Sequence, residues 1–249
     1  YKENRKILAE QSTQTDIQEL RAMYDALDDT LEFFRQKTNC TVLQHPEMEA
    51  DDLIAAWVQK HNDKNHVIVS SDSDFLQLIK PNVEIYNGIT NNLITLDGYF
   101  DNKGNLLKET PDPEWTLFQK CMRGDSSDNV KSAYPGVRTK GTKNKIGLID
   151  AFADRNKKGF AWNNLMLQRW VDHDNNEHKV IDKYLENKQL IDLTNQPKNI
   201  REKLDKCVHY IEPKKVPMVG IHFMKFCGKY SLTRAGEQVN EHVLYLNRV

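Results

Sequence analysis

The chain has 249 residues, an apolar share of 39% and a formal net charge of -1, which suits one large or two small folded domains with a real core and excludes a low-complexity polymer. Its four cysteines, Cys40, Cys121, Cys207 and Cys227, lie far apart without a Cys-x-x-Cys pair, which argues against a disulfide frame or zinc site and fits a reducing cytoplasm. No apolar run reaches membrane-spanning length and no signal peptide heads the chain, so no membrane partner is expected.

The chain opens on Tyr1 rather than Met and is read as lacking its natural start; Tyr1-Lys2-Glu3-Asn4-Arg5-Lys6 is basic. Ile17, Leu20, Tyr24, Leu27, Leu31 and Phe34 recur at steps of three and four, the spacing of an amphipathic helix about five turns long that would lie on a sheet. Cys40-Thr41-Val42-Leu43-Gln44 reads as a short strand, stopped by Pro46. Ala50, Leu53, Ile54, Trp57 and Val58 then follow a helical period, which places Glu49, Asp51 and Asp52 in that helix's first turn. Acids are favoured there by the helix dipole for purely structural reasons, a reading that competes with a functional one for this cluster.

His66-Val67-Ile68-Val69-Ser70 is a continuous apolar run of the kind that buried parallel strands carry, and Asp72 and Asp74 fall just past its carboxyl end. Ligands of open α/β sheets sit at such ends. The competing reading is that Ser71 or Asp72 only caps the helix begun by Phe75, Leu76 and Leu78. Val83-Glu84-Ile85-Tyr86 and Leu93-Ile94-Thr95-Leu96, with Gly88 and Asn91-Asn92 between them, read as a hairpin. The polar stretch 106–113, with two prolines, marks a boundary between lobes.

Beyond it, Trp115, Leu117, Phe118 and Met122 form a helix ending at Gly124. Asp125 and Asp128 follow three residues apart, so a helical turn would bring their carboxylates to one side; an Asp-rich loop capping the next helix is the alternative. The stretch 131–145 carries Lys131, Arg138, Lys140, Lys143 and Lys145 with no acid among them, together with Thr142, Gly136 and Gly141. Glycine-containing turns and cations ahead of a helix can cradle phosphate, although a solvated loop has the same composition. Asp172 to Glu177 resembles a calcium loop only superficially: Glu177 occupies its Gly position and Lys183 the position of its bidentate acid. Further helices are expected around 181–190 and 200–208, followed by a last segment from 218 onward.

The three acidic clusters hold seven carboxylates, and their order, spacing and flanks resemble the 5' nuclease family, the flap endonucleases and polymerase-associated 5'-3' exonucleases, above all its T-even phage RNase H type. The matching stretches are Tyr1-Lys2-Glu3-Asn4-Arg5, Glu49-Ala50-Asp51-Asp52, Ser70-Ser71-Asp72-Ser73-Asp74-Phe75-Leu76-Gln77-Leu78 and Met122-Arg123-Gly124-Asp125-Ser126-Ser127-Asp128-Asn129-Val130. The resemblance implies an α/β fold: a PIN-like nuclease lobe with a central, mostly parallel sheet over 1–108, a helix-three-turn-helix DNA-binding lobe over 109–210 and a C-terminal helical segment over 211–249. Carried over by position, Glu49, Asp51, Asp72 and Asp74 resemble the family's metal-site acids, Asp125 and Asp128 those of a second metal, and Asp52 an outer-shell acid.

By the same resemblance, Lys2 and Arg5 stand at the foot of a helical arch near the scissile phosphate, Tyr1 binds DNA together with them, and Lys2, Arg5, Asp72 and Asp74 make up the catalytic set. Lys131, Arg138, Lys140, Thr142, Lys143 and Lys145 stand where the family grips duplex. The implied cofactors are two magnesium ions, with manganese able to substitute. The implied substrates are 5' flaps, branched or nicked DNA and RNA/DNA duplex, in replication or repair. A monomer is implied, with contacts to a single-strand-binding protein and a sliding clamp, in the host cytoplasm if the chain is phage-encoded.

Two departures qualify the likeness. The family's further acids, on strands ahead of the Tyr-Lys motif, have no counterpart here, so a truncated or split nuclease is expected. The 136–141 loop also lacks the compact Gly-Val-x-Gly-Ile-Gly hairpin beside which some members bind potassium. A non-catalytic, structure-specific DNA-binding module is therefore the alternative from another class. A PIN-type ribonuclease is disfavoured because such domains usually lack the Asp125/Asp128 lobe.

Overall fold

The computed structural model describes residues 13–110, 112–135, 147–172, 174–209 and 214–248. Of the expected site residues, Tyr1, Lys2, Arg5, Arg138, Lys140, Thr142, Lys143 and Lys145 lie outside them. In chain order the first elements are α1 (Gln14–Lys37), α2 (Ala50–Lys60), β1 (His66–Val69), a short 3-10 helix (Ser73–Leu78), β2 (Val83–Asn87), β3 (Asn92–Ile94), β4 (Tyr99–Phe100) and β5 (Leu106–Lys108). They are followed by α3 (Pro113–Arg123), α4 (Leu148–Asp154), α5 (Phe160–Met166), β6 (Arg169–Val171), β7 (Glu177–Lys179), α6 (Val180–Ile191), α7 (Lys198–Cys207), α8 (Val219–Lys229), α9 (Thr233–Glu237) and α10 (Val239–Leu246). The described residues fall into two compact units, 49–205 in one and 13–48 with 206–248 in the other.

The unit 49–205 is α/β, as the motifs imply. Its five-stranded sheet has the order β1-β2-β3-β4-β5. Only β1 and β2 run parallel, Ile68 opposite Ile85; the other three ladders are antiparallel, so the sheet expected to be mostly parallel is mixed. Connection length explains the difference. The link from β1 to β2 contains the 3-10 helix and is long enough for a crossover, whereas Gly88 to Asn91 is a tight turn, with Asn91 at φ 56, and a tight turn can only reverse the chain. Ala55 and Val58 of α2 cover one face of the sheet and bury Ile68, Phe75, Leu78, Val83, Ile85 and Ile94. Val67 and Val69 are exposed at 57% and 73%, so β1 alternates despite its apolar Val67-Ile68-Val69 run.

A second core in the same unit joins α3, α4, α5 and α6 through Phe118, Met122, Leu148, Ala151, Leu165, Met166 and Val180. The β6–β7 hairpin adds Trp170, whose indole Nε1 donates to the carbonyl of Ala133 at 3.2 Å. Buried Asn187 of α6 ties the layers together, its amide donating to the carbonyls of Cys121 and Lys131, both at 2.8 Å.

In the other unit, Thr13 and Asp16 form a capping box at the start of α1, which satisfies two of the helix's otherwise unpaired N–H groups. Phe33 stacks on Phe226 of α8 at 4.4 Å, and the Asn39 N–H donates to the Leu246 carbonyl at 2.9 Å. The helix expected to lie on a sheet thus packs on a helix within this unit, while Leu20, Met23, Tyr24 and Leu27 stay exposed. Residues 40–44, expected as a strand, join no ladder; apolar content suits them to one, but a strand also needs a neighbour, which composition does not reveal. No helix among the described residues is long and apolar enough to cross a membrane.

Candidate metal centre

The three acidic clusters reach the surface of the 49–205 unit by three different local devices. Glu49 is the extended N-cap residue of α2, with Asp51 and Asp52 in its first turn. Consecutive helical residues point about 100° apart, and these two separate accordingly. Asp51 faces the carboxyl end of β1, whereas Asp52 accepts a hydrogen bond from the Gln196 side chain. Burial first, then the charges of Asp51 and Glu49, push the Asp52 pKa above the ordinary carboxylate value against the bonds it accepts.

Past β1 the chain turns into the 3-10 helix, and Asp72 caps it, its Oδ1 accepting from the Asp74 N–H at 2.9 Å. The capping alternative read from the sequence is therefore real, and it occupies one of the two Asp72 oxygens. Asp125 and Asp128 sit in a turn closed by reciprocal backbone bonds between Asp125 and Val130, at 2.8 and 2.7 Å, rather than in a helical turn. Gly124 makes the turn possible. Its φ is 75°, and a Cβ there would lie 2.2 Å from the Val130 carbonyl oxygen.

These devices bring Glu49, Asp51, Asp72, Asp74 and Asp128 to one cleft of about 400 Å³ beside Val69 and Phe75. Every charged residue lining it is an acid. Asp52 does not line it. Asp125 lines an adjoining, polar cleft of about 460 Å³ with Ser73, Thr116, Lys120, Arg123 and Ser127. Lys120 of α3 joins the two: its Nζ is ion-paired with Asp74 and, at 2.8 Å, with Asp125. Lys131, the described member of the expected DNA-gripping set, is exposed.

The same ammonium leaves its two partners titrating differently. Burial dominates at Asp74 and raises its pKa, helped by the negative Asp72 and Asp125 and opposed by Lys120. Burial also acts first and upward on Asp125, but Lys120 and two donors from Ser127, N–H at 2.9 Å and Oγ at 2.5 Å, outweigh it and bring the pKa down to about 2. Burial weakens the Lys120 ammonium, yet its two carboxylates prevail and its pKa is raised. Lys120 therefore carries its charge at any physiological pH.

The donor set fits a hard divalent cation, being carboxylate oxygen throughout with no sulfur or imidazole lining the cleft. Among the described residues no three His, Cys, Asp or Glu side chains close into a ready cage. Like charges lining one cleft repel unless a cation sits between them, and Lys120 screens only its edge. Sequence reasoning missed Lys120 and Gln196. Lys120 had a signal: Thr116, Gln119, Lys120 and Arg123 form a polar stripe at helical spacing ending beside Asp125. Gln196 had none, since its contact with Asp52 spans 144 residues.

Residues 1–104 match a family profile described as 5'-3' exonuclease, N-terminal resolvase-like domain. Among curated proteins, a 5'-3' exonuclease of Mycoplasmopsis pulmonis is 39% identical over 100 residues, which are 39% of this chain and 31% of that protein. A DNA polymerase I of Rhizobium leguminosarum is 31% identical over 118 residues, 47% of this chain and 11% of the relative. The chain thus spans a third or less of the length of these relatives. Among solved structures, zinc-bound T5 5'-exonuclease superposes with TM-score 0.58 at 17% identity, covering 84% of this chain and 75% of that one. The bacteriophage T5 D15 flap endonuclease, in a complex with DNA and metal ions, gives 0.55 at 18% over the same shares. These likenesses show a shared fold. Motifs, fold and sequence match agree: over residues 1–104 the chain is similar to the N-terminal resolvase-like domain of 5'-3' exonucleases.

Proposed function

We propose that the protein is a divalent-metal-dependent 5' nuclease that hydrolyses phosphodiesters of 5' flaps, nicked duplex or RNA primers during replication or repair. The observation that carries this reading is the convergence of acids from three separate segments on one cleft at the carboxyl end of β1. Glu49, Asp51, Asp72, Asp74 and Asp128 would hold the cations there, with Asp125 reached through Lys120 and Asp52 outside the cleft, supporting the α2 turn through Gln196. Bound by these acids, a pair of magnesium ions, or manganese in their place, would supply an activated water and neutralise charge on the phosphoryl oxygens.

The chain's own residues have the remaining tasks. The capping bond between Asp72 and the Asp74 N–H fixes the spacing of those two carboxylates, and Lys131 begins the cationic stretch that would follow the duplex backbone. Lys2 and Arg5 would balance charge at the scissile phosphate, a contribution of about 3 kcal/mol for one well-placed donor. This reading assigns the nuclease lobe to 1–108 and duplex binding to 109–210, with a C-terminal helical segment over 211–249; a single-strand-binding protein and a sliding clamp are the protein partners it implies.

The test is cleavage of a 5'-labelled flap with magnesium, wild type against the double variant Asp72→Asn, Asp74→Asn. A loss of at least about a hundredfold is expected; equal rates would overturn the proposal. Salt-sensitive binding of nicked duplex by both proteins, with product from neither, would instead identify a DNA-binding module without catalysis.

A further inference from the structure

We propose that Lys120 is a built-in counter-ion of the acidic cleft, holding Asp74 and Asp125 in place while the cleft is free of metal and competing with an incoming divalent cation for their oxygens. The competition rests on the reading of the cleft as a divalent-ion site; the counter-ion role rests on geometry alone.

Lys120 lies on the polar stripe of α3, Asp74 on the 3-10 helix that follows β1, and Asp125 just past the end of α3. The pair therefore links two motifs that are 51 residues apart through a side chain belonging to neither. This is no surface ion pair of the usual negligible worth. The side chains are only 23%, 17% and 16% exposed for Lys120, Asp74 and Asp125, so water competes little for any of the three.

The arithmetic of charge is also unusual. One ammonium faces two carboxylates, and Asp72 stands beside Asp74, so the group remains net negative with Lys120 in place. Removing the ammonium leaves Asp74 and Asp125 facing each other across the gap it filled. A divalent cation is the species best suited to fill that gap, because it brings twice the charge and prefers the same oxygen donors. As long as Lys120 holds those oxygens, a metal must displace it or accept its repulsion at short range. Lysine suits an exchangeable role of this kind: its charge sits at the end of a flexible four-carbon stem and is not locked in a planar fork.

A purely structural ion pair predicts that losing Lys120 loosens the cleft and weakens metal binding; a counter-ion predicts the reverse. The experiment titrates manganese and magnesium into the full chain by calorimetry, without nucleic acid, for wild type, Lys120→Met and Lys120→Arg. It also records melting in chelator for these three and for Lys120→Met combined with Asp125→Asn. Lys120→Met is expected to bind manganese about tenfold more tightly than wild type and to melt lower in chelator. Lys120→Arg should stay near wild type in both. The double variant should melt higher than Lys120→Met, because one of the two opposed charges is gone. Unchanged or weaker manganese binding by Lys120→Met, or a double variant that melts no higher than Lys120→Met, overturns the proposal. A wild type that binds neither ion overturns the metal reading of the cleft and the competition with it, whereas the melting comparison still decides whether Lys120 is the counter-ion.

Discussion

Asp52 and Asp125 are two carboxylates that folding pushes in opposite directions, and each makes a prediction about acid stability in metal-free buffer. Asp52 has a raised pKa because its burial and its neighbours Asp51 and Glu49 oppose the charge. An acid of this kind stabilises the fold below its unfolded value near 4, and that contribution is lost as pH rises through the folded value. Asp52→Asn should therefore raise the melting temperature at neutral pH, with the gain shrinking as pH falls toward 4. Asp125, lowered to about 2, behaves oppositely. Its stabilisation is complete above about 4 and vanishes as pH falls through about 2. Asp125→Asn should melt lower than wild type at neutral pH and converge with it in acid. Melting curves in chelator at several pH values check both signs; two variants moving the same way at neutral pH would contradict the assignment. Neither sign could be read from the sequence, where both residues are simply members of Asp-rich clusters. Gln196 for the one, and Lys120 with Ser127 for the other, decide the outcome.

At the scale of elements, the end of α3 is a tightly constrained point in the 49–205 unit. Gly124 adopts a positive φ with backbone atoms of Val130 and Lys131 crowding the position a Cβ would take, so Gly124→Ala is expected to destabilise by about 2–4 kcal/mol in urea unfolding. Asn187→Ala leaves the Cys121 and Lys131 carbonyls without their donor and should cost about 2–4 kcal/mol by the same measurement. These elements were partly legible in advance. The periods of α2 and α3, the apolar run of β1 and the β2–β3 hairpin were all written locally, in spacing and turn residues, and the structure has each of them. What depended on distant partners was less visible. Residues 40–44 had a strand's composition without a neighbour, the apolar Val67-Ile68-Val69 run of β1 is covered on one face only, and the helical pattern of Phe75, Leu76 and Leu78 is realised as the 3-10 helix Ser73–Leu78. The acids themselves were legible because three clusters of one charge are conspicuous; the lysine between them was not, being one polar residue on an ordinary helix.

For the molecule as a whole, a cation that binds only the folded state must stabilise it. At a concentration roughly a hundredfold above its Kd, magnesium or manganese is expected to add about 3 kcal/mol and to raise the melting temperature of the wild type by several degrees, an effect reversed by chelator and absent from Asp72→Asn, Asp74→Asn. A melting temperature indifferent to both ions would contradict the metal assignment. The division into two units gives this measurement a built-in optical address. All four tryptophans, Trp57, Trp115, Trp162 and Trp170, lie within 49–205, while the other unit has tyrosine fluorophores such as Tyr24 and Tyr230 and no indole. Indole emission excited at the red edge therefore reports on the acid-bearing half alone, so a single untagged sample can show, by comparing that signal with far-ultraviolet dichroism, whether the two halves come apart together.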